Sequence, residues 1–228
     1  GVADTLSTET LVRLPGGFHC FEPPDDLPAL SPPPALKQGH LTFGSFNNQA
    51  KISRLTLDRW ARMLGEFPSA RLLLKTRQLD YPQTRAIVAQ AFEQRGVDPN
   101  RIELMGHCGS RNDHLNAYSR IDIALDTFPY NGTTTTCEAL WMGVPVLTIL
   151  GESQRARTAA SLLANAGLDA WVASSEAEWR AAARRLAEKP LKLKELRMGL
   201  RARVSKSSIG DGLAFASKFF QTIRHLVE

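Results

Sequence analysis

The sequence predicts an α/β fold built on a doubly wound parallel sheet. Its strand-like segments are short, continuous apolar runs, and segments with helical periodicity separate them along most of the chain. Strands of this kind are typical of parallel sheets whose two faces are covered by helices. The 228 residues are 43% hydrophobic and 22% charged, a composition typical of globular chains that excludes collagen-like and wholly disordered proteins.

Six apolar segments are predicted as strands, at residues 41–46, 72–74, 102–105, 121–125, 145–150 and 170–173. Helices are predicted around and between them, at residues 53–67, 82–95, 111–119, 134–142, 154–166 and 175–188. Terminal signals support these bounds: Ser53 is a capping residue, Pro82 stands in a first turn, and Gly96 follows a last turn. A final helix is predicted from an apolar stripe formed by Phe215, Phe219, Ile223 and Leu226.

Residues 22–34 contain six prolines and are predicted to form an extended connector. Proline lacks an N–H donor and restricts the residue before it, so a regular helix cannot run through this segment. The connector separates a short N-terminal tail from the part of the chain that carries the alternating pattern.

The positive charge of the chain is concentrated in one stretch, residues 180–206, with ten Lys or Arg and two Asp or Glu. This local charge of +8, in a total of +5, leaves −3 for the rest of the chain. Arg197 and Arg201 stand at helical spacing within it, so the stretch is predicted to form solvated helix faces. Aromatic side chains help a surface to bind nucleic acid, and none follows Trp179 in this stretch, so no nucleic-acid partner is expected.

The sequence also argues against a membrane protein and against a metal or disulfide scaffold. No run of about 18 apolar residues is present, and the first ten residues lack the basic-then-apolar order of a secretory signal. Cys20, Cys108 and Cys137 are odd in number and widely spaced. We therefore expect a soluble cytoplasmic protein with no membrane partner and no bound metal.

Ligands of doubly wound sheets bind beyond the carboxyl ends of the strands, a rule that selects the loops at residues 46–52, 106–113 and 127–136. In the last of these, Gly132 precedes four threonines that open a predicted helix, although threonine is a mediocre helix former. Free N–H groups, hydroxyls and the helix dipole suit a phosphate there, and Glu138 could accept two ribose hydroxyls one turn later. The alternative is a capped helix without a ligand, in which Glu138 only complements the dipole.

Two further loop residues are candidates for ligand contacts. Lys51 lies between a strand end and a helix start, where a cation could meet a diphosphate, and His114 could stack on a base. Each also has an ordinary explanation, as an exposed loop lysine and as a surface histidine. Asn48 is of a residue type that more often shapes turns than binds ligands.

An ordered set of segments carries a resemblance to a known family: residues 43–52, Trp60, 100–102, 113–114, 122–127, 131–135 and 138–146. Together they resemble the C-terminal catalytic lobe of the O-linked N-acetylglucosamine transferase family, including its SPINDLY-like and bacterial members. The resemblance covers most of residues 10–228. It implies a Rossmann-like C-terminal lobe of a two-lobed GT-B glycosyltransferase.

The resemblance assigns roles to single residues near the donor. Lys51 matches the lysine that contacts the donor phosphates, and it is the candidate catalytic residue of this chain. Asn48 falls where animal members place a glutamine on the phosphate side. His114 matches the histidine that stacks on uracil, and Arg111 lies at a nearby basic position.

The threonine-rich loop matches the family in part. Thr134 and Thr135 match the phosphate-binding threonine pair, whereas Thr133 stands where animal enzymes have histidine. Glu138 stands where they have the ribose-binding aspartate, so the carboxylate is kept with one more methylene. Tyr130 replaces a cysteine near the N-acetyl group of the sugar.

The resemblance implies the donor-binding part of a metal-independent, inverting glycosyltransferase that moves N-acetylglucosamine from UDP-GlcNAc to Ser/Thr hydroxyls of proteins. No cofactor is expected beyond the UDP-sugar donor itself. The expected partners are a protein acceptor, an N-terminal catalytic lobe and a tetratricopeptide-repeat region. Two alternatives stay open: a transferase that uses another nucleotide sugar such as GDP-fucose, and a catalytically silent nucleotide-binding or interaction module.

Three regions follow from the resemblance. Residues 1–40 are predicted to be the tail of a preceding lobe and the connector, and residues 41–206 the UDP-sugar-binding lobe. Residues 207–228 are predicted to be a helix that packs back toward the N-terminal lobe. Because that first lobe would precede residue 1, we expect the chain alone to bind nucleotide poorly and to transfer nothing.

Overall fold

A computed structural model describes residues 4–5 and 7–227 of the chain. The six strands are β1 (Thr42–Ser45), β2 (Arg71–Lys75), β3 (Ile102–Met105), β4 (Ile123–Leu125), β5 (Val146–Ile149) and β6 (Val172–Ala173). The helices that precede β4 are α1 (Ala35–Gln38), α2 (Arg54–Glu66), α3 (Pro82–Glu93) and α4 (Arg111–Asn116). Those that follow it are α5 (Thr134–Trp141), α6 (Thr158–Asn165), α7 (Glu176–Ala187), α8 (Pro190–Ser205) and α9 (Gly212–Val227).

The six strands form one parallel sheet in the order β3-β2-β1-β4-β5-β6. The chain therefore builds the sheet outward from β1 in one direction and then restarts beside β1 with β4. The loops that follow β1 and β4 leave the sheet side by side in opposite directions, which opens a crevice at this switch point. The predicted doubly wound sheet is confirmed.

The central strands are buried on both faces. All residues of β1, β4 and β5 are buried, whereas the edge strand β3 is only partly so. Helices on the sheet contribute large side chains to the continuous core, among them Trp60, Phe92, Leu140 and Trp179. Burial from both sides explains why these strands appear in the sequence as unbroken apolar runs.

Most differences from the predicted elements lie at their ends. β4 begins at Ile123 instead of 121, and β6 is shortened because Asp169–Trp171 forms a 3-10 turn. The predicted helix at 154–166 is divided into a 3-10 turn, Gln154–Ala156, and α6. For α8, helical spacing of Arg197 and Arg201 predicts a helix without bounds, and the structure places it at Pro190–Ser205.

The prediction of solvated helix faces in the basic stretch is wrong for Arg197. This side chain of α8 is fully buried and donates hydrogen bonds to the carbonyls of Ile121 (2.7 Å), Asp122 (3.2 Å) and Ser31 (3.3 Å). The guanidinium group offers five donors, which suits it to carbonyls that lie outside regular strand pairing. Burial lowers the pKa of Arg197 to about 10, so the group stays charged at neutral pH.

Arg201, one turn later, also faces inward and helps to fasten the connector. It donates to the carbonyls of Trp141 and Pro28, each at 2.8 Å. The carboxylate of Asp122 accepts hydrogen bonds from the N–H groups of Ala35 and Thr42 beside it. The connector is therefore held on the lobe by hydrogen bonds from the two arginines of α8 to the carbonyls of Ser31 and Pro28, not by secondary structure of its own.

The last helix, α9, carries the predicted apolar stripe but buries none of its residues. Of the stripe, Phe219, Ile223 and Leu226 are 40%, 43% and 57% exposed. The packing of residues 207–228 on another lobe stays a prediction, as do the boundaries of the three regions. In the part of the chain that the structure describes, no helix is long and apolar enough to cross a bilayer.

Replacing Arg197 with methionine should destabilise the fold. Arg197→Met keeps an unbranched side chain but leaves three buried carbonyls without their donor, so we expect a loss of about 3–5 kcal/mol in unfolding free energy. The matched control is Arg185→Met at an exposed position of α7, expected to change stability by less than about 0.5 kcal/mol. Urea unfolding followed by circular dichroism measures both, and equal stability of the two variants would contradict the expected role.

Candidate functional site

Two loops meet at the switch point between β1 and β4. The first loop follows β1 and contains Lys51, and the second follows β4 and leads into α5. They are tied together by the Lys51 ammonium, which donates to the Asn131 carbonyl at 2.8 Å. A second tie joins the hydroxyl of Thr135 to the side-chain oxygen of Asn47 at 2.9 Å. The crevice is therefore a preformed feature of the fold.

Lys51 ends a single 3-10 turn, Gln49–Lys51, whose start is capped by Asn48. The side-chain oxygen of Asn48 accepts a hydrogen bond from the Ala50 N–H at 2.9 Å. The ammonium group of Lys51 also lies 4.2 Å from the ring centroid of Tyr130 in the second loop. Burial lowers the pKa of Lys51, and the charge of Asp126 acts in the opposite direction.

The side chain of Asp126 holds the second loop in place by hydrogen bonds. It is the residue after β4, is buried, and accepts hydrogen bonds from the N–H of Gly132 and the hydroxyl of Thr148, both at 2.7 Å. Burial raises the pKa of Asp126 from its ordinary 3.8 to about 6, and its hydrogen-bond donors and Lys51 limit the rise. This carboxylate fixes where Gly132 can lie.

Gly132 occupies a position that accepts no side chain. A Cβ atom there would lie 2.6 Å from the Thr135 hydroxyl and 2.9 Å from the side-chain oxygen of Asn47. Glycine is therefore required by close approach and not by its backbone angles. The main chain enters α5 at this point, with Thr133 as the residue before the helix and its side chain making no capping bond.

The first turn of α5 opens at the crevice. A helix start leaves several N–H groups without intrahelical acceptors and carries the positive end of the dipole. Thr134 and Thr135 stand in this turn, and Lys51 approaches it from the first loop. The structure thus brings two sources of positive potential to one place.

A second group of polar side chains lies one turn further along α5. The Nε2 atom of His114 lies 2.9 Å from Oε2 of Glu138, and the hydroxyl of Tyr118 lies 3.4 Å from the same oxygen. The Nδ1 atom of His114 lies 2.7 Å from the ammonium nitrogen of Lys75. Burial raises the pKa of Tyr118 well above its usual range, and the Glu138 charge adds to this effect.

The structure gathers most of the predicted site residues around α5: Lys51, His114, Gly132, Thr133, Thr134, Thr135 and Glu138. Arg111 is exposed at the start of α4, and its side chain makes no hydrogen bond or ion pair with another described residue. Asn48 is in the first loop, where its side-chain oxygen is engaged by the turn.

Sequence reasoning missed Asp126 and Lys75. Each is a charged residue at the carboxyl end of an apolar strand, Lys75 as the last residue of β2 and Asp126 directly after β4. That position was the available signal, since the carboxyl ends of parallel strands are where ligands bind. Within the described part of the chain, no group of three or more His, Cys, Asp or Glu side chains could hold a metal ion.

The model of the glycosyl transferase family 41 matches residues 34–219, which is most of the chain. The chain belongs to glycosyl transferase family 41. This finding confirms the resemblance stated from the sequence.

Several family 41 relatives match almost the whole chain. A protein of Petunia hybrida named probable UDP-N-acetylglucosamine–peptide N-acetylglucosaminyltransferase SPINDLY is 43% identical over 99% of this chain and 25% of its own length. Its namesake in Solanum lycopersicum is 44% identical over 91% of this chain and 22% of its own length. The chain thus spans about a quarter of the length of these curated relatives.

Solved structures support the fold. A mutant of the Thermobaculum terrenum O-GlcNAc transferase superposes with a TM-score of 0.88 and 38% identity, over 99% of this chain and 42% of that chain. A sucrose-phosphate synthase from Thermosynechococcus elongatus gives a TM-score of 0.57 at 15% identity, over 87% of this chain and 50% of that chain, which supports the fold alone. The predicted fold class, a doubly wound lobe of the GT-B type, is confirmed.

The burial of Asp126 predicts a pH dependence of stability. Its pKa is raised in the folded chain, so its stabilising contribution is fully present below pH 3.8 and is lost as the pH rises through about 6. We expect the unchanged chain to lose roughly 2 kcal/mol relative to Asp126→Asn between pH 4 and pH 7.

Urea unfolding at a series of pH values measures this difference. Asp169→Asn, at an exposed position, serves as the control. A difference between the unchanged chain and Asp126→Asn that stays constant from pH 4 to pH 7 would contradict the prediction.

Proposed function

We propose that this chain is the C-terminal, donor-binding part of a protein glycosyltransferase. In this proposal the enzyme moves N-acetylglucosamine from UDP-GlcNAc to Ser/Thr hydroxyls of proteins, with inversion and without a required metal ion. The observation that carries it is the contact of Lys51, at the switch point, with the loop that leads into the first turn of α5. The names of the family 41 relatives, which specify UDP-N-acetylglucosamine and a peptide, support the choice of donor and acceptor.

The diphosphate of the donor is the leaving group of such a transfer. As its bond to the sugar breaks, negative charge develops on the phosphate oxygens, and oriented positive groups lower the barrier. The Lys51 ammonium and the N–H groups at the start of α5 are fixed before the donor arrives, so they need little rearrangement. They would stabilise the negative charge without transferring a proton. Because these groups already supply positive charge at the phosphates, no metal ion is required in this proposal.

The nucleoside would lie one turn further along α5, beside Glu138. His114 would stack on the base, and Glu138 would accept hydrogen bonds from the ribose hydroxyls. Their side chains are in contact at 2.9 Å, so a base and its ribose could meet them at the same time. Thr134, one turn before Glu138, would then lie on the phosphate side of the same nucleotide.

The other parts of the enzyme belong to the proposal as well. The chain spans about a quarter of its SPINDLY relatives, so an N-terminal catalytic lobe and a tetratricopeptide-repeat region would supply the remaining contacts, including those to the acceptor. The exposed apolar stripe of α9 offers a surface on which the N-terminal lobe could pack. Activity is therefore tested in the full-length polypeptide that carries this lobe.

Loss of the Lys51 charge should abolish most of the turnover. We expect Lys51→Met to lower the transfer rate about 10²–10³-fold, the usual effect of removing one oriented charge contact at a developing anion. Radiolabelled transfer from UDP-GlcNAc to a protein acceptor measures the rate, with circular dichroism as the check on folding. Lys192→Met at an exposed position of α8 is the control, and wild-type turnover in Lys51→Met would remove the catalytic assignment.

Loss of the His114 ring should instead weaken nucleotide binding. Stacking on one aromatic ring typically contributes about 1–3 kcal/mol, so His114→Ala should raise the dissociation constant of UDP about 5- to 150-fold. Isothermal titration with EDTA present measures it. Unchanged affinity would exclude the stacking role, and loss of binding on adding EDTA would contradict metal independence.

The radiolabelled transfer assay separates the two alternatives to this proposal. Competition of UDP-GlcNAc with GDP-fucose identifies the donor, and transfer that proceeds only from GDP-fucose would overturn the sugar assignment while leaving the site intact. Nucleotide binding without transfer from any donor by the full-length polypeptide would favour a silent binding module.

A further inference from the structure

The ring of His114 is held at both of its nitrogens. Glu138 reaches Nε2 from α5 at 2.9 Å, and Lys75 reaches Nδ1 from the end of β2 at 2.7 Å. We propose that Lys75 is a positioning residue that fixes one tautomer and one orientation of this ring for stacking on the nucleotide base, an inference that rests on the proposed function. Lys75 does not touch the nucleotide in this proposal and acts only through His114.

The donors and acceptors at the ring determine its tautomer. A lysine ammonium group can only donate hydrogen bonds, so Nδ1 of His114 must accept. The ring hydrogen then lies on Nε2, where it is donated to the Glu138 carboxylate. A ring turned by 180° about its Cβ–Cγ bond would lose both contacts at once, so the same two partners also select the orientation.

The environment of Lys75 indicates that its charge has a role. The residue is only 7% exposed, which is unusual for lysine because removing a charge from water is costly. Among the residues that the structure describes, His114 is the one hydrogen-bond acceptor of its ammonium group, and no carboxylate lies within 4 Å of Nζ. The ring centroid of Phe46, at 5.8 Å, gives a weaker cation–π contact.

Aromatic neighbours complete the support of the ring. The centroid of Phe46 lies 6.1 Å from that of His114, and Tyr118 meets the ring edge-on at 5.8 Å. The Tyr118 hydroxyl shares the Glu138 oxygen that His114 uses. A ring held in this way loses little freedom when a base stacks on it, and that preorganisation is what Lys75 would contribute.

A double-mutant cycle distinguishes a positioning residue from one that contacts the nucleotide itself. UDP dissociation constants are measured by isothermal titration for the full-length polypeptide and its Lys75→Met, His114→Ala and doubly substituted variants. We expect Lys75→Met alone to weaken binding about tenfold, as for the loss of one charge-assisted hydrogen bond. In the His114→Ala background it should change the affinity less than about twofold, because the ring on which it acts is absent.

Losses that add in the double variant would show direct contact between Lys75 and the nucleotide, and they would overturn the proposal. Wild-type affinity in Lys75→Met would overturn it as well. The control is Lys194→Met, an exposed lysine of α8, which should leave the affinity unchanged.

The ring nitrogens give a readout that needs no nucleotide. Histidine is labelled with ¹⁵N in the chain, and spectra that correlate ring nitrogens with ring protons report which nitrogen carries the hydrogen. The His114 signals are assigned by their absence in His114→Ala. We expect hydrogen on Nε2 alone in the unchanged chain. In Lys75→Met we expect hydrogen on Nδ1 as well in part of the molecules, because no ammonium group then donates to that nitrogen.

Identical ring spectra in the unchanged chain and in Lys75→Met would overturn the positioning role. Failure of the unchanged full-length polypeptide to bind UDP would instead overturn the proposed function. The two failures are therefore seen in different experiments.

Discussion

The buried carboxylate of Asp126 joins the elements on which the candidate site depends. It extends from the end of β4, binds the Thr148 hydroxyl of β5 and the Gly132 N–H, and acts electrostatically on Lys51. A carboxylate shielded from water must keep such donors, since a buried charge without them is very costly. The second loop is consequently confined to the path that presents Gly132 to Asp126, and that path determines where α5 begins.

Helix α5 connects the two polar groups of the site. Its first turn faces Lys51, and one turn later Glu138 holds His114. Tyr118 links the two regions directly, because its hydroxyl donates to the Thr135 carbonyl at 3.2 Å and also lies against Glu138. A displacement of α5 would therefore disturb the phosphate side and the base side together. The distance between them is set by one rigid element and not by flexible loops.

Prediction from the sequence succeeded for elements whose physical cause is visible in a local pattern of residues. The strands were predicted because burial on both faces makes them continuously apolar. The threonine-rich loop was predicted as a candidate site because four threonines are a poor helix start unless they bind a ligand. Arg197 was misjudged because its charge suggests solvent, whereas its partner Ser31 lies 166 residues away in the connector. The contact between Lys75 and His114 likewise joins residues 39 positions apart, and only the sheet brings them together. Helical or strand periodicity contains no information on such long-range partners.

The cations of the site differ from those of the surface in what they bind. Arg62, Arg95 and Arg180 are each paired with a carboxylate within 4 Å, and these pairs neutralise one another. The ammonium of Lys51 instead binds a carbonyl, and that of Lys75 binds an imidazole nitrogen. Neutral acceptors cancel less of this positive potential than paired carboxylates do. The buried charge of Asp126 offsets part of it at Lys51, and the low dielectric of a crevice strengthens what remains. Burial lowers the pKa of Lys51, so an arriving diphosphate would favour its charged form and would in turn be held by it. In the proposed function, the diphosphate of the donor is the anionic group that this crevice would stabilise.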